Sequence, residues 1–141
     1  MANFPVKLKA RLLLIQKGEI LLLKQTKPNG GNFTLPGGTI ESIEFAKEAL
    51  IRETREEVGI QLTKEDLELA HVMHKKSDEK HRIVFYFRAN IYSGRPKPRE
   101  HDKFSRLEWR DLQSLPERLT PTVKTVLKKL RAGKSYSETR L

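Results

Sequence analysis

Three glutamates, Glu53, Glu56 and Glu57, fall within five positions of the stretch RETREEVGI at residues 52–60. At about 100° per helical residue they span an arc of roughly 100°, so a helix presents all three carboxylates on one face. Like charges at i, i+3 and i, i+4 repel, and more strongly where water is excluded. The arrangement asks for a cation. Carboxylate oxygens converging from one face, in a chain with no Cys, suit a hard ion such as Mg²⁺ or Mn²⁺, which keeps several waters and completes its shell with substrate phosphate. A solvated acidic face is the simpler alternative, and the neighbouring residues argue against it. Ala46, Ala49 and Leu50 open an i, i+3, i+4, i+7 series that continues into Glu53, Glu56, Glu57 and Ile60, so the acids extend an apolar stripe. Ile51 and Val58 mark a second apolar side, which leaves two candidate faces for burial.

Just upstream, FTLPGG at residues 33–38 ends a short strand at Pro36. Gly37 and Gly38 then let backbone approach the helix or a ligand with no side chain in the way.

Together these pieces read Gly38, five residues, Glu44, seven residues, then Arg52, Glu53, Thr54, Arg55, Glu56, Glu57, Val58, Gly59 and Ile60. This resembles the Nudix box, G-x5-E-x7-R-E-U-x-E-E-x-G-U with U bulky and apolar. Every fixed letter is present. The departure is Thr54, where the family usually has an aliphatic side chain, and it bears on packing rather than chemistry. The resemblance implies hydrolysis of a diphosphate linkage in a nucleoside diphosphate joined to another group, with Glu53, Glu56 and Glu57 holding Mg²⁺ or Mn²⁺. It implies that Arg52 orients Glu53 or pairs with Glu44, that Glu44 is a scaffold or auxiliary ligand, and that Gly37 and Gly38 shape a loop presenting backbone to metal or phosphate. Some MutT-type members bring a further acid from a loop to the metals or water; Glu100 stands where that acid would be, and Asp102 is equally placed by sequence. No Pro occurs between Pro36 and Pro96, and the first Tyr after the box is Tyr86. The marks of ADP-ribose and dinucleoside polyphosphate hydrolases are thus missing, and so is the upstream pattern of coenzyme A hydrolases. By elimination a MutT-type nucleoside triphosphate pyrophosphohydrolase leads, with an RNA 5′-end pyrophosphohydrolase or a non-catalytic nucleotide- or RNA-binding module as alternatives.

The elements that must carry these residues follow from periodicity and turn chemistry. Residues 6–15 and 19–25 read as a hairpin about Lys17-Gly18, and 33–35 as a short strand. The box helix is expected from about 43 to 58, with Ser42 as cap, Glu44 in its first turn and Gly59 as its left-handed stop. Residues 66–76, 81–91 and 104–112 read as strands, and 120–132 as a closing helix with Thr120 as cap and Pro121 in its first position. Phe85 and Phe87 share a strand face with Ile83 and suit core packing; Trp109 is expected to be structural. His71, His74, His81 and His101 lack a ligand spacing, and His71 and His74 on one strand point to opposite faces. Two helices against a mixed sheet make an α/β (α+β) class, and the strand order resembles the Nudix α/β/α sandwich.

With 141 residues the chain suits one domain, residues 1–141. A third of it is charged and 37% is apolar, spread along its whole length, as in a folded globule. Apolar runs such as Leu12 to Ile15 are too short to cross a bilayer and no signal-peptide stretch follows the first residues, so a cytoplasmic monomer or homodimer is expected. The net charge of +10, from 28 basic and 18 acidic residues, concentrates anions near the surface. The basic clusters at 95–103 and 128–134 are not interleaved with aromatics, which favours a nucleotide over nucleic acid as the partner.

Overall fold

The structure is a computed structural model that describes residues 5–141. Strands β1 (Val6–Gln16) and β2 (Glu19–Gln25) form the expected hairpin, with Ile15 opposite Ile20. Its turn residues, Lys17 at φ 51° and Gly18 at φ 78°, are the left-handed pair that matches strand twist. Then come β3 (Phe33–Thr34), β4 (Gly37–Thr39), α1 (Ala46–Val58), β5 (Glu68–Lys76), β6 (His81–Ala89), β7 (Phe104–Asp111), α2 (Pro121–Arg131) and β8 (Tyr136–Arg140). The sheet runs β3-β2-β1-β6-β5-β8, with β4 paired to β1 and β7 to β2. The pairs β1–β6 and β5–β8 are parallel and the other ladders antiparallel, so the sheet is mixed.

The continuous apolar runs of β1 and β2 are explained by helices on both sides of the sheet. Leu12, Leu14, Leu21, Leu23 and Phe87 pack with Leu50 and Val58 of α1. The alternate residues Leu13, Ile20, Leu22, Met73, Val84 and Tyr86 pack with Val123 and Val126 of α2. Period-2 alternation therefore feeds two cores at once, the α/β/α sandwich. Phe85 and Trp109 pack partly buried against the α1-side core, as expected. His71 is fully buried, with Nδ1 on the Lys134 carbonyl at 2.9 Å and Nε2 on Ser137 Oγ at 2.7 Å. His74 and His81 contact through their rings, Nε2 to Nδ1, at 2.8 Å.

Several boundaries differ from the sequence reading. Helix α1 begins at Ala46, not near residue 43, and Ser42 is exposed and caps nothing. The carboxylate of Glu48 accepts the Phe45 N–H at 2.8 Å, while Glu44 closes a turn with Glu41: its N–H donates to the Glu41 carbonyl and its Oε1 accepts the Glu41 N–H. Glu44 is thus a loop residue, not part of the first helical turn. A short 3₁₀ turn, Lys64–Asp66, precedes β5, and β6 ends at Ala89. Strands β4 and β8 have no counterpart in the sequence reading: β4 is Gly37, Gly38 and Thr39, and in β8 the buried residue is Ser137, so neither shows an apolar alternation. Among the described residues no helix is long and apolar enough to cross a membrane.

Candidate active site

Strand β1 forks, and the fork builds the site. Its Lys9–Arg11 segment pairs with β4, Arg11 opposite Gly37, and the Leu12 N–H donates to the Pro36 carbonyl at 2.9 Å. The Pro-Gly-Gly loop is therefore strung along β1 and held against α1. A Cβ on Gly37, whose φ is 133°, would lie 2.1 Å from the Ala10 carbonyl oxygen, so this strand pairing needs glycine. A Cβ on Gly38 would lie 2.7 Å from the Glu53 carboxylate carbon, so the second glycine makes room for a functional side chain.

Glu57 is the buried acid, 4% exposed, with its Oε1 accepting the Gly37 N–H at 2.7 Å. Burial pushes its carboxyl up to about 8; the Gly37 N–H and Arg11 oppose the shift, and the nearby Glu53 and Glu100 carboxylates add to it. The buried arc of α1 carries Ala49, Leu50, Thr54, Glu57 and Val58, and so draws on both apolar sides marked by the periodicity. Thr54 fits there because its hydroxyl donates to the Leu50 carbonyl at 2.9 Å, one helical turn back.

Arg52 is the hub of the remaining acids. Its Nε and Nη2 grip both Glu44 oxygens at 2.7 and 3.0 Å, its Nη1 donates to Glu53 at 3.0 Å and Glu56 at 3.3 Å, and its Nη2 also reaches the Thr39 carbonyl at 3.2 Å. Arg52 thus contacts both partners named from the sequence, Glu44 and Glu53. This two-pronged bond holds the Glu44 carboxyl below its ordinary range.

Glu53 and Glu57 line one cleft of about 390 Å³ together with Gly37, Gly38, Lys9, Arg11 and Lys103. Glu56 does not line it; its side chain is 47% exposed and turned to Arg52. The loop after β6 is tied to the end of α1, the Arg99 N–H donating to the Glu57 carbonyl at 2.8 Å and the Lys97 N–H to the Val58 carbonyl at 3.0 Å. That tether carries Glu100 to the site. Its Oε2 accepts from Lys103 at 3.4 Å, while its Oε1 is buried with no hydrogen-bond partner. Asp102 is exposed, and its carbonyl serves Thr26 and Asn29. Of the two loop acids, the structure brings Glu100 to Glu57.

Among the described residues no set of three His, Asp or Glu side chains is drawn together closely enough to hold an ion. The donors nonetheless fit a hard divalent cation: carboxylate oxygen from Glu53 and Glu57 in one cleft, and an orphaned carboxylate oxygen on Glu100. Sequence reasoning missed the cations of the cleft. Lys7, Lys9 and Arg11 alternate along β1, and the sequence assigns them no role. In the structure Arg11 Nη1 instead donates to the Leu35 and Gly37 carbonyls at 3.2 and 3.0 Å, bracing the glycine loop.

Comparison with known proteins agrees with this geometry. The NUDIX domain family model matches residues 7–130. The chain is similar to the uncharacterized Nudix hydrolase YvcI of Bacillus subtilis, 31% identical over 73% of this chain and 67% of that protein. It is 32% identical to the ADP-ribose pyrophosphatase of Methanocaldococcus jannaschii over 74% of this chain and 62% of that protein. It is 27% identical to the NAD-capped RNA hydrolase NudC of Pseudomonas aeruginosa over 74% of this chain, but spans only 36% of that protein's length. Among solved structures, a MutT NUDIX hydrolase from Burkholderia pseudomallei superposes with a TM-score of 0.79 at 29% identity, covering 89% of this chain and 98% of that one. With Gly38, Glu53 and Glu57 of the box lining one cleft and the family match running over residues 7–130, the chain belongs to the Nudix hydrolase family.

Proposed function

We propose that the cleft hydrolyses a diphosphate linkage in a nucleoside triphosphate or another nucleoside diphosphate derivative, releasing a nucleoside monophosphate where the leaving group is phosphate. In this reading Glu53, Glu56 and Glu57 hold a divalent cation, Mg²⁺ or Mn²⁺, with Glu100 beside them. The observation that carries it is the shared cleft, lined by the acids Glu53 and Glu57 together with the cations Lys9, Arg11 and Lys103. Bound there, a divalent cation neutralises charge on the diphosphate and acidifies water for attack. The chain's own groups do the rest. Lys9, Arg11 and Lys103 attract the anionic substrate, Arg52 holds Glu53 in one orientation, and Gly37 and Gly38 keep the floor of the cleft free of side chains. The activities named for two relatives, an ADP-ribose pyrophosphatase and an NAD-capped RNA hydrolase, support the linkage class rather than a particular nucleotide.

A panel of nucleoside triphosphates and nucleoside diphosphate derivatives, assayed with Mg²⁺ and with Mn²⁺, tests the proposal. Turnover of at least one member, abolished by chelator and reduced at least a hundredfold by Glu53→Gln, is the expected result. No turnover across the panel overturns it. The charge of +10 favours a second reading, hydrolysis at the 5′ end of RNA. A triphosphorylated oligoribonucleotide turned over faster than the free triphosphate would replace the first reading with this one.

A further inference from the structure

Behind the acidic cleft lies a second cavity of about 180 Å³, and its chemistry is of one sign. Strand register places Lys7 opposite Arg82, Lys9 opposite Val84 and Arg11 opposite Tyr86, while Lys75 on β5 stands opposite Arg82. Period 2 then turns Lys9, Arg11, Arg82 and Lys75 to the same face of the sheet, beside the first turn of α2. All four line the cavity, and none of its lining residues is acidic. Lys9 and Arg11 also line the acidic cleft, whereas Lys75 and Arg82 belong to the second cavity alone.

No acidic side chain lines this cavity with these four cations, although Arg11 also acts on the charge of Glu57. Among the described residues none of the four makes an ion pair. Arg82 Nε is buried without a hydrogen-bond partner, and Lys75 has only the Thr122 hydroxyl, at 2.6 Å. Burial, and then the neighbouring Arg11, Arg82, Lys7 and Lys75, push Lys9 down to about 8. A solvated basic face spreads its side chains into water and shows no such depression. Tyr86 keeps its proton, pushed up to about 12 by burial, and remains a donor. Lys, Arg and hydroxyl donors around one small volume match the several oxygens and double charge of a phosphate better than a single carboxylate.

We infer that this cavity binds a second phosphate of the substrate, a phosphomonoester carried on the same small molecule but separate from the diphosphate linkage that is cleaved. The shared Lys9–Arg11 wall sets the reach: one molecule can place its diphosphate at Glu53 and Glu57 and its remote phosphate at Arg82 and Lys75. The inference rests on the hydrolase reading for the role of that molecule, and narrows its class to phosphorylated nucleoside diphosphate derivatives.

Calorimetric titration in EDTA tests it without turnover, using adenosine 2′,5′- and 3′,5′-bisphosphate against AMP and ADP. ADP carries two phosphates in one contiguous group, so it separates a remote phosphate from charge alone. At least one bisphosphate should bind tenfold or more tightly than either AMP or ADP. That preference should fall to about one in Arg82→Gln and in Lys75→Gln taken singly, and persist in Lys129→Gln, which removes the same charge from an exposed position on α2. Melting curves check that the variants fold, and relief of repulsion should raise their melting temperatures. Equal binding of ADP and both bisphosphates, or a preference lost equally in Lys129→Gln, overturns the inference. A bisphosphate preference without turnover in the nucleotide panel would instead count against the hydrolase reading alone.

Discussion

The Gly37 N–H donates to Glu57 Oε1 across 2.7 Å, joining the end of a two-glycine loop to a carboxylate that is 4% exposed. One hydrogen bond thus links the strand pairing of β1 and β4 to the acidic face of α1. The consequence is a carboxyl group kept where water cannot reach it, so that its charged form is disfavoured unless a partner of opposite sign stands beside it.

Glu57 therefore sets how stability responds to pH and metal. Its carboxyl is pushed up to about 8 from 4.5, so its contribution is intact below 4.5 and is lost as pH rises through 8. In chelator, melting temperature should fall over that window, and Glu57→Gln should flatten the fall. Mn²⁺ or Mg²⁺ at tenfold to a hundredfold above its dissociation constant should restore about 1–3 kcal/mol at neutral pH. The increment should shrink in the variant. Identical melting curves in chelator and in excess Mn²⁺ would remove the proposed metal site.

The two adjacent glycines should fail in different ways. Gly37→Ala drives a Cβ into the backbone of Ala10 and asks a non-glycine residue to hold φ 133°, so it should destabilise by about 3 kcal/mol or more in chemical denaturation. Gly38→Ala meets only the movable end of Glu53. It should change stability by less than about 1 kcal/mol while lowering kcat about a hundredfold, because it displaces a side chain at the reacting centre.

Arg52→Lys keeps the charge and loses the fork. Only Arg can grip both Glu44 oxygens while reaching Glu53 and Glu56, so the variant should lose about 1–2 kcal/mol of stability. The drop in kcat should exceed that of Glu44→Gln, which leaves the Arg52–Glu53 contact in place. Equal kcat in Arg52→Lys and the unmodified protein would deny Arg52 its positioning role.

Between the two loop acids, Glu100→Gln should lower kcat at least tenfold and Asp102→Asn should leave it unchanged. Glu100 has an orphaned oxygen beside Glu57; Asp102 faces solvent and contributes its backbone carbonyl to Thr26 and Asn29. Steady-state kinetics on any substrate found in the nucleotide panel would decide it.

What the sequence alone determined is what local spacing encodes. Glu53, Glu56 and Glu57 share a helix face because helical geometry requires it, Gly59 stops that helix at φ 72°, and Thr120 and Pro121 begin α2 as their chemistry dictates. The hairpin of β1 and β2 and two helices against a mixed sheet were legible from periodicity and turn chemistry, whereas the α/β/α layering came from the resemblance to the Nudix fold. Tertiary structure decided what spacing cannot reach. Glu44 looked like a first-turn residue, but its Arg52 partner and its turn with Glu41 hold it outside the helix. Strand β4 carries no hydrophobic signal, since its identity comes from pairing with β1 and its glycines from crowding against it. Which acid faces the cleft was also beyond local periodicity: Glu57 is buried by the glycine loop, Glu56 is drawn outward to Arg52, and Glu100 arrives by a loop tether. The cationic cavity, finally, gathers Lys9, Arg82 and Lys75 from three strands by register alone. Period 2 along each strand lets the charges alternate, but only cross-strand pairing makes them neighbours.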